Sequence, residues 1–357
     1  MGPDAKSYVG KTLLSEPIPR YSERATRTEG TGKDLRRRRL TQTFSVVVDL
    51  SYNVKSMPAR GKDAEVLRSR LTLGGGYSTM FAARQMGMDC VYLGAIGNGP
   101  LAELVRRRMH EDGILDASDA SQSQYLDQGA CTVVVEPDGQ RTFFKHNGVE
   151  VLGFPSQTRF DYLALTNEDF VVSSGYTFTL TPNIDDAVAT WTTTGKLATT
   201  LFDPSPVHYR ISSERMEKIL RSTTWFTGSA TEIREITGIS DLESAAQEVA
   251  KFGPNVIVRT GRDGAILLDA ATMTLTYLPT AEVSTIDTTA AGETHIGVMV
   301  ATLSAGIEPP HAVAIANVAA ALSTREDGAS TCPNRSELSS FLRENSSFHH
   351  LAPMVAS

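Results

Sequence analysis

Cysteine is scarce in this chain: Cys90, Cys131 and Cys332 are odd in number and widely separated. That pattern supports neither a disulfide framework nor a zinc site, and it points to a reducing, cytoplasmic compartment. Long apolar runs are also lacking, and none approaches the roughly 18 residues that a membrane span needs. There is no excess of positive charge, because 41 Asp and Glu outnumber 34 Lys and Arg for a net charge of −7. Neutralising a phosphate backbone takes basic surface, so a general nucleic-acid binder is excluded. What is present is an ordinary soluble composition, 41% hydrophobic and 21% charged over 357 residues. That length suffices for a well-buried core.

The charge is unevenly spread. Residues 1–42 hold ten basic and five acidic side chains, which makes the segment +5 and the rest of the chain −12. The segment has no hydrophobic period and is rich in Gly, Pro, Ser and Thr, so it is expected to be a flexible basic tail. The run Arg36, Arg37, Arg38, Arg39 reads as a solvated cluster beside the first strand. No apolar stretch follows these charges as a secretory signal requires, and the five acidic residues count against a transit peptide. Lys6 stands where N-myristoylation wants Ser or Thr.

From residue 43 the pattern alternates between strand and helix. Short β-branched or apolar runs predict strands over 45–50, 90–96, 170–173, 199–202, 225–227 and 256–259. Helices are expected over 78–86, ending before Gly87, and over 100–112, with Pro100 in the first turn and Gly113 as the stop. Such alternation implies a mainly parallel sheet covered on both faces. The segments 130–136 and 141–145, joined by Pro137-Asp138-Gly139, read instead as a hairpin, a small β flap over the main domain.

Two glycine-centred segments carry the chemistry. In the first, Gly74-Gly75-Gly76 precedes Ser78 at a helix start, where the backbone can approach a ligand closely. It is neither a dinucleotide fingerprint, since Thr79 stands where the last glycine would be, nor a phosphate-binding P-loop. The second is Asp287-Thr288-Thr289-Ala290-Ala291-Gly292-Glu293-Thr294-His295, followed by an apolar helix. Small residues there leave the amides of Ala291, Gly292 and Glu293 open, and a helix N-terminus favours an anion. Glu293 in the first turn then sits beside that anion. Amides that stabilise a moving phosphoryl group, next to a base aimed at a hydroxyl, are the layout of phosphoryl transfer. His295, two residues on, is expected to pack against the helix, and His349 and His350 are given no metal role.

In residue types, order and separation, these segments resemble the signatures of the ribokinase-like, phosphofructokinase-B family of carbohydrate kinases. The resemblance spans about residues 43 to 345. It includes Asp49 nine residues before Pro58, the stretch from Leu93 to Gly113, Asp203-Pro204, Ser229-Ala230-Thr231-Glu232, Thr260 to Ala265, and Ala316-Asn317 through Pro333. It implies a three-layer α/β/α sandwich with a mainly parallel central sheet and a small β-sheet lid. The implied domain covers 43–350, with the lid drawn from about 50–70 and 125–147.

The resemblance also implies roles. ATP would lie near Ser229, Glu232, Thr260, Gly261, Gly264 and Asn317, with Glu232 ordering Mg²⁺ through water. The sugar would be held by Asp49, Gly74, Gly75, Gly76 and Ser78. Glu293 would be the base, with Ala290, Ala291 and Gly292 as the anion hole. Asp287 and Thr289 match positions that bind a monovalent cation such as K⁺ in some members. The flap often forms a dimer interface in this family, which makes a homodimer the expectation; nucleic acid and membrane are not expected partners. A vitamin-type kinase fits the glycine segment and Asp49 less well.

Several positions depart from the family pattern. Glu293 stands in place of Asp, and its extra methylene moves the carboxylate by about 1–1.5 Å, a misplacement that can cost on the order of a hundredfold in rate. Ala290 replaces a glycine and is tolerable only at negative φ. Ser78 and Ser229 replace asparagines. These changes leave open an alternative: a kinase-fold binding or regulatory protein with impaired turnover.

Overall fold

The computed structural model describes residues 38–118, 126–138, 140–152 and 156–356. Its strands, in chain order, are β1 (Arg39–Gln42), β2 (Val46–Val54), β3 (Val66–Gly75), β4 (Asp89–Tyr92), β5 (Leu115–Asp116), β6 (Ala130–Val135), β7 (Arg141–His146), β8 (Phe170–Ser174), β9 (Thr199–Asp203), β10 (Trp225–Ser229), β11 (Asn255–Gly261), β12 (Gly264–Asp269) and β13 (Thr274–Leu278). Nine form one sheet in the order β13-β12-β11-β10-β9-β8-β1-β4-β5. Pairing is parallel from β5 across to β11 and antiparallel along the β11-β12-β13 edge.

The central strands are apolar and buried on both faces, as a sheet between two helical layers requires. Helices of eight or more residues are α1 (Gly76–Gln85), α2 (Pro100–Glu111), α3 (Ile184–Thr194), α4 (Ser213–Arg221), α5 (Ala230–Thr237), α6 (Leu242–Ala250), α7 (Ala291–Ser304), α8 (Pro309–Ser323) and α9 (Arg335–Glu344). Met80, Val105, Ile296, Val313 and Leu338 of α1, α2, α7, α8 and α9 share one buried cluster. Trp191, Ile219, Ile233 and Val249 of α3 to α6 share the other. The expected three-layer sandwich is therefore present, and α7, buried from Thr294 to Thr302, runs through its interior.

The boundary of the expected tail is corrected. Residues 39–42 are β1, buried and hydrogen-bonded between β4 and β8 in the interior of the sheet. Arg39 is not a solvated charge: it is 4% exposed, and its Nε lies 3.2 Å from Asp169 Oδ1. Its short strand was hidden because a buried ion pair looks, in sequence, like the end of the arginine run. Residues 1–37 of the expected tail lie outside the described residues.

The run over 45–50 is likewise reassigned. It opens β2, which belongs to a second sheet of four strands in the order β3-β2-β6-β7. This is the lid, built from 46–54, 66–75, 130–135 and 141–146, and it contains the expected hairpin. Directly paired residues share a face. Asp49, Cys131 and Lys145 therefore lie on one side, and Leu71, Leu50, Thr132 and Phe144 on the other. Arg70 and Arg141, on the Asp49 side, form ion pairs with Asp327 and Asp287, so that side faces the body.

The strand assignment gives a simple test. A chain beginning at Arg38 is expected to fold, whereas one beginning at Thr43 lacks a central strand and the Arg39–Asp169 pair and is expected to fail. Circular dichroism and thermal melting of the two truncations check this; equal cooperative melts would contradict it.

Candidate active site

The site is built at the carboxyl ends of the parallel strands, where an open α/β sheet leaves its crevice. Asp203 ends β9, Ser229 ends β10 and Arg259 lies near the end of β11, with Ser229 and Arg259 directly paired. Ser229 caps α5 through a reciprocal box: its Oγ accepts the Glu232 N–H at 3.2 Å, and Glu232 Oε2 accepts the Ser229 N–H at 2.7 Å. This fixes the Glu232 carboxylate beside the strand ends. Arg259 Nη2 then reaches Asp203 Oδ2 at 2.9 Å and Glu232 Oε2 at 3.8 Å.

Glu293 lies in the first turn of α7. Burial raises its carboxyl pKa above the usual glutamate value, and the negative charge of Asp203 adds to that; its own backbone N–H and Arg259 act the other way. The amides before it are less open than the sequence suggested. Ala291 N–H bonds the Thr288 carbonyl at 3.3 Å, and Glu293 N–H serves its own carboxylate. Gly292 offers the amide that these bonds leave over, and its Cα lies alongside Arg259 Nη1.

Ala290, the N-cap of α7, has φ 58°. The expectation of a negative φ is overturned: an alanine holds the left-handed turn that aims the helix at the site. The strain for a residue with a Cβ is about 1–2 kcal/mol.

Asp49 approaches from the lid. Gly74 makes room for it, since a Cβ there would lie 2.1 Å from Asp49 Oδ2. Gly75, at φ 64°, turns the chain from β3 into α1. Burial raises the Asp49 carboxyl to about 7, with Glu293 adding to the rise and Lys145 opposing it. Asp49 and Glu293 are thus electrostatically coupled across one space.

Other expected residues fall differently. Ser78 is 1% exposed on the buried face of α1, and among the described residues its buried Oγ has no hydrogen-bond partner. Asn317 is also buried; its Nδ2 donates to the Leu278 and Pro279 carbonyls at 2.8 and 3.2 Å. Its Oδ1 accepts from His295 Nε2 at 3.1 Å, so the amide holds a loop and a ring instead of facing a nucleotide. His295 is packed as expected: burial, then the Arg259 charge, lowers its pKa to about 3. Thr260, Gly261 and Gly264 form the turn between β11 and β12, where both glycines have positive φ.

Two implied metals were tested against these side chains. Around Arg259, three carboxylates (Asp203, Glu232, Glu293) face one guanidinium, and that surplus negative charge suits a hydrated Mg²⁺ arriving with a nucleotide. Among the described residues, no three His, Cys, Asp or Glu side chains are placed to hold a metal directly. The monovalent cation does not fit. Asp287 Oδ1 accepts from Thr289 N at 2.9 Å, Thr289 Oγ1 at 2.7 Å and Arg141 Nη2 at 2.9 Å, and Oδ2 accepts from Gly328 N at 3.0 Å. Arg141 Nη1 also lies 3.3 Å from Thr289 Oγ1. A guanidinium from the lid already supplies the positive charge there.

The sequence reading missed Arg259, Arg141 and Lys145. A charge closing the apolar run Val256-Ile257-Val258 was the available signal for Arg259. For Arg141 and Lys145 there was none, because only the lid's register aims them inward.

The chain is similar to known carbohydrate kinases over most of its length. The model of the pfkB family carbohydrate kinases matches residues 43–336. An uncharacterised sugar kinase of Escherichia coli K12, YegV, is 27% identical over 307 residues, covering 82% of this chain and 91% of that protein. An ATP-dependent ribose-1-phosphate kinase of Halopiger xanaduensis is 25% identical over 306 residues, covering 83% and 95%. Among solved structures, ribokinase of Thermotoga maritima superposes with a TM-score of 0.72 at 24% identity, covering 85% of this chain and 99% of that one.

Two outcomes follow from the geometry. Replacing K⁺ with a bulky organic cation at constant ionic strength is expected to leave turnover and thermal stability unchanged; a marked K⁺ stimulation of either contradicts the place given to Arg141. Ala290→Gly is expected to raise the unfolding free energy by up to about 1 kcal/mol, seen as a higher urea midpoint, and an unchanged or lowered midpoint speaks against strain at this cap.

Proposed function

The chain belongs to the pfkB family of carbohydrate kinases, and from that premise we propose that it transfers the γ-phosphoryl group of ATP to a primary hydroxyl of a sugar or sugar-like alcohol, with Glu293 as base. One observation carries this reading: a half-buried carboxylate in the first turn of α7, beside the Gly292 amide and within the field of Asp49 on the lid.

The sugar lies between the lid and the body, its hydroxyls met by Asp49 and by the backbone of Gly74, Gly75 and Gly76. Glu293, its pKa raised by burial, is in its ionised form a stronger base than an ordinary glutamate and takes the proton. The hydroxyl oxygen forms a bond to the γ-phosphorus as the bond to the bridging oxygen of ADP breaks. The proton goes to Glu293, and ADP leaves with the bonding electron pair. The Gly292 amide and the positive end of α7 stabilise charge on the moving group. Glu232 and Asp203 would hold Mg²⁺ through water, and the ion would shield the phosphate charge. The β11–β12 turn, with Thr260, Gly261 and Gly264, together with Ser229, borders the nucleotide.

The lid's outer face supports the homodimer: Leu67 and Leu71 are 54% and 47% exposed and Phe144 is 55% exposed. Joining two such faces removes apolar surface from water. The three unpaired cysteines agree with a cytoplasmic setting, and no helix among the described residues is long and apolar enough to cross a membrane.

The test is a panel of pentoses, hexoses, their 1-phosphates and nucleosides with ATP and Mg²⁺. Turnover of one or more is expected, with Glu293→Gln losing about 10²- to 10⁴-fold in kcat. Ligand binding without turnover anywhere in the panel supports the impaired binding protein, whose case rests on Glu293 and the left-handed Ala290. For the dimer, Leu71→Glu is expected to give a monomer by sedimentation, and an unchanged mass contradicts the lid interface.

A further inference from the structure

Arg259 is bound by more than its structural partners need. Its Nη2 serves Asp203 at 2.9 Å and faces Glu232 at 3.8 Å. Its Nη1 is buried, yet among the described residues no acceptor lies within hydrogen-bonding distance. A buried N–H without an acceptor is costly, and such a group in a native protein calls for an explanation. The direction of Nη1 supplies one. It lies 3.4 Å from where a Cβ on Gly292 would stand, so it points to the start of α7, next to the Gly292 amide and the Glu293 carboxylate.

The charge balance asks for the same thing. A phosphoryl group arriving here meets Asp203, Glu232 and Glu293, three carboxylates that repel it. The cations on the lid stand differently: Arg141 is tied to Asp287 and Thr289, and Lys145 is exposed and acts on Asp49 through its field. Arg259 brings its positive charge and a spare donor to the reacting space on a guanidinium that Asp203 and Glu232 hold in place.

We propose that Arg259 is a further catalytic residue, whose Nη1–H binds an oxygen of the phosphoryl group in flight between ATP and the sugar hydroxyl. The inference rests on the reading of the site as a kinase. Asp203 and Glu232 hold the guanidinium plane so that one edge stays with the protein and the other is left for the ligand. A fork held this way is preorganised, and an arginine on the transferred group is worth about 10³- to 10⁵-fold in phosphoryl transfer where it has been removed. Arg259 has a second effect on the same step, because its charge opposes the rise in the Glu293 pKa.

The test compares the binding of ADP alone with that of ADP plus aluminium fluoride, a mimic of the phosphoryl group in flight, in the full chain with Mg²⁺ and sugar. Arg259→Gln and Arg259→Lys are expected to bind ADP as the wild type does and to lose most of the extra affinity conferred by aluminium fluoride. kcat should fall at least about a hundredfold in Arg259→Gln, with the acid limb of its pH profile moved to higher pH. Lysine restores charge but not the fork, so its loss should be smaller. If Arg259→Gln fails to fold, Arg259→Lys is read alone. Variants that keep both the wild-type preference for ADP–aluminium fluoride and the wild-type kcat overturn the proposal. A wild type that binds ADP–aluminium fluoride tightly but phosphorylates nothing in the panel counts against the turnover reading and leaves the Arg259 contact standing.

Discussion

The site depends on keeping a carboxylate charged inside the protein, at the head of α7, in the company of two others. Burial and the field of Asp203 push Glu293 toward its neutral form. Only the helix N-terminus and Arg259 oppose that. Among the strand ends the opposition comes from β11: it brings the guanidinium, which Asp203 at the end of β9 and Glu232 of the capping box hold in place while their own charges add to the rise. The surrounding sheet is rigid because its strands are buried on both faces, which lets it hold four charged groups at fixed separations.

The lid enters the same balance. Its inner face places Asp49 within the field of Glu293, and its arginines grip the body at two loops. Arg141 holds Asp287 and Thr289, immediately before the left-handed Ala290. Arg68 and Arg70 reach Asp327, next to Gly328, whose N–H bonds Asp287 in turn. Lid position and the geometry of the α7 N-terminus are therefore linked through one carboxylate.

Much of this was legible in the sequence. Apolar runs alternating with helical segments gave the layers, the Asp-Gly turn marked the lid hairpin, and the small residues before Glu293 marked the anion-binding helix start. What escaped has physical causes. β1 was hidden because Arg39 is neutralised by Asp169, a partner 130 residues away that no local pattern reveals. β2 was taken for a core strand because Val46 and Val48 are buried at the root of the lid, while the rest of the strand rises out of the body. Asn317 was assigned to a ligand by the resemblance alone, yet side-chain direction is decided by packing: its amide holds a buried ring and a loop. Ala290 keeps a conformation that its residue type disfavours, because the turn and the helix on either side fix it.

The central claim is that a half-buried, charge-crowded Glu293 takes the proton from the hydroxyl, and the pH dependence of kcat at saturating sugar and ATP tests it most directly. The raised pKa predicts the sign: the ionised base is lost as pH falls through that value, so the acid limb should lie clearly above the ordinary glutamate range and move when Glu293 becomes Asp. A rate that stays level down to the ordinary carboxylate range, or a limb that Glu293→Asp leaves in place, would contradict the account.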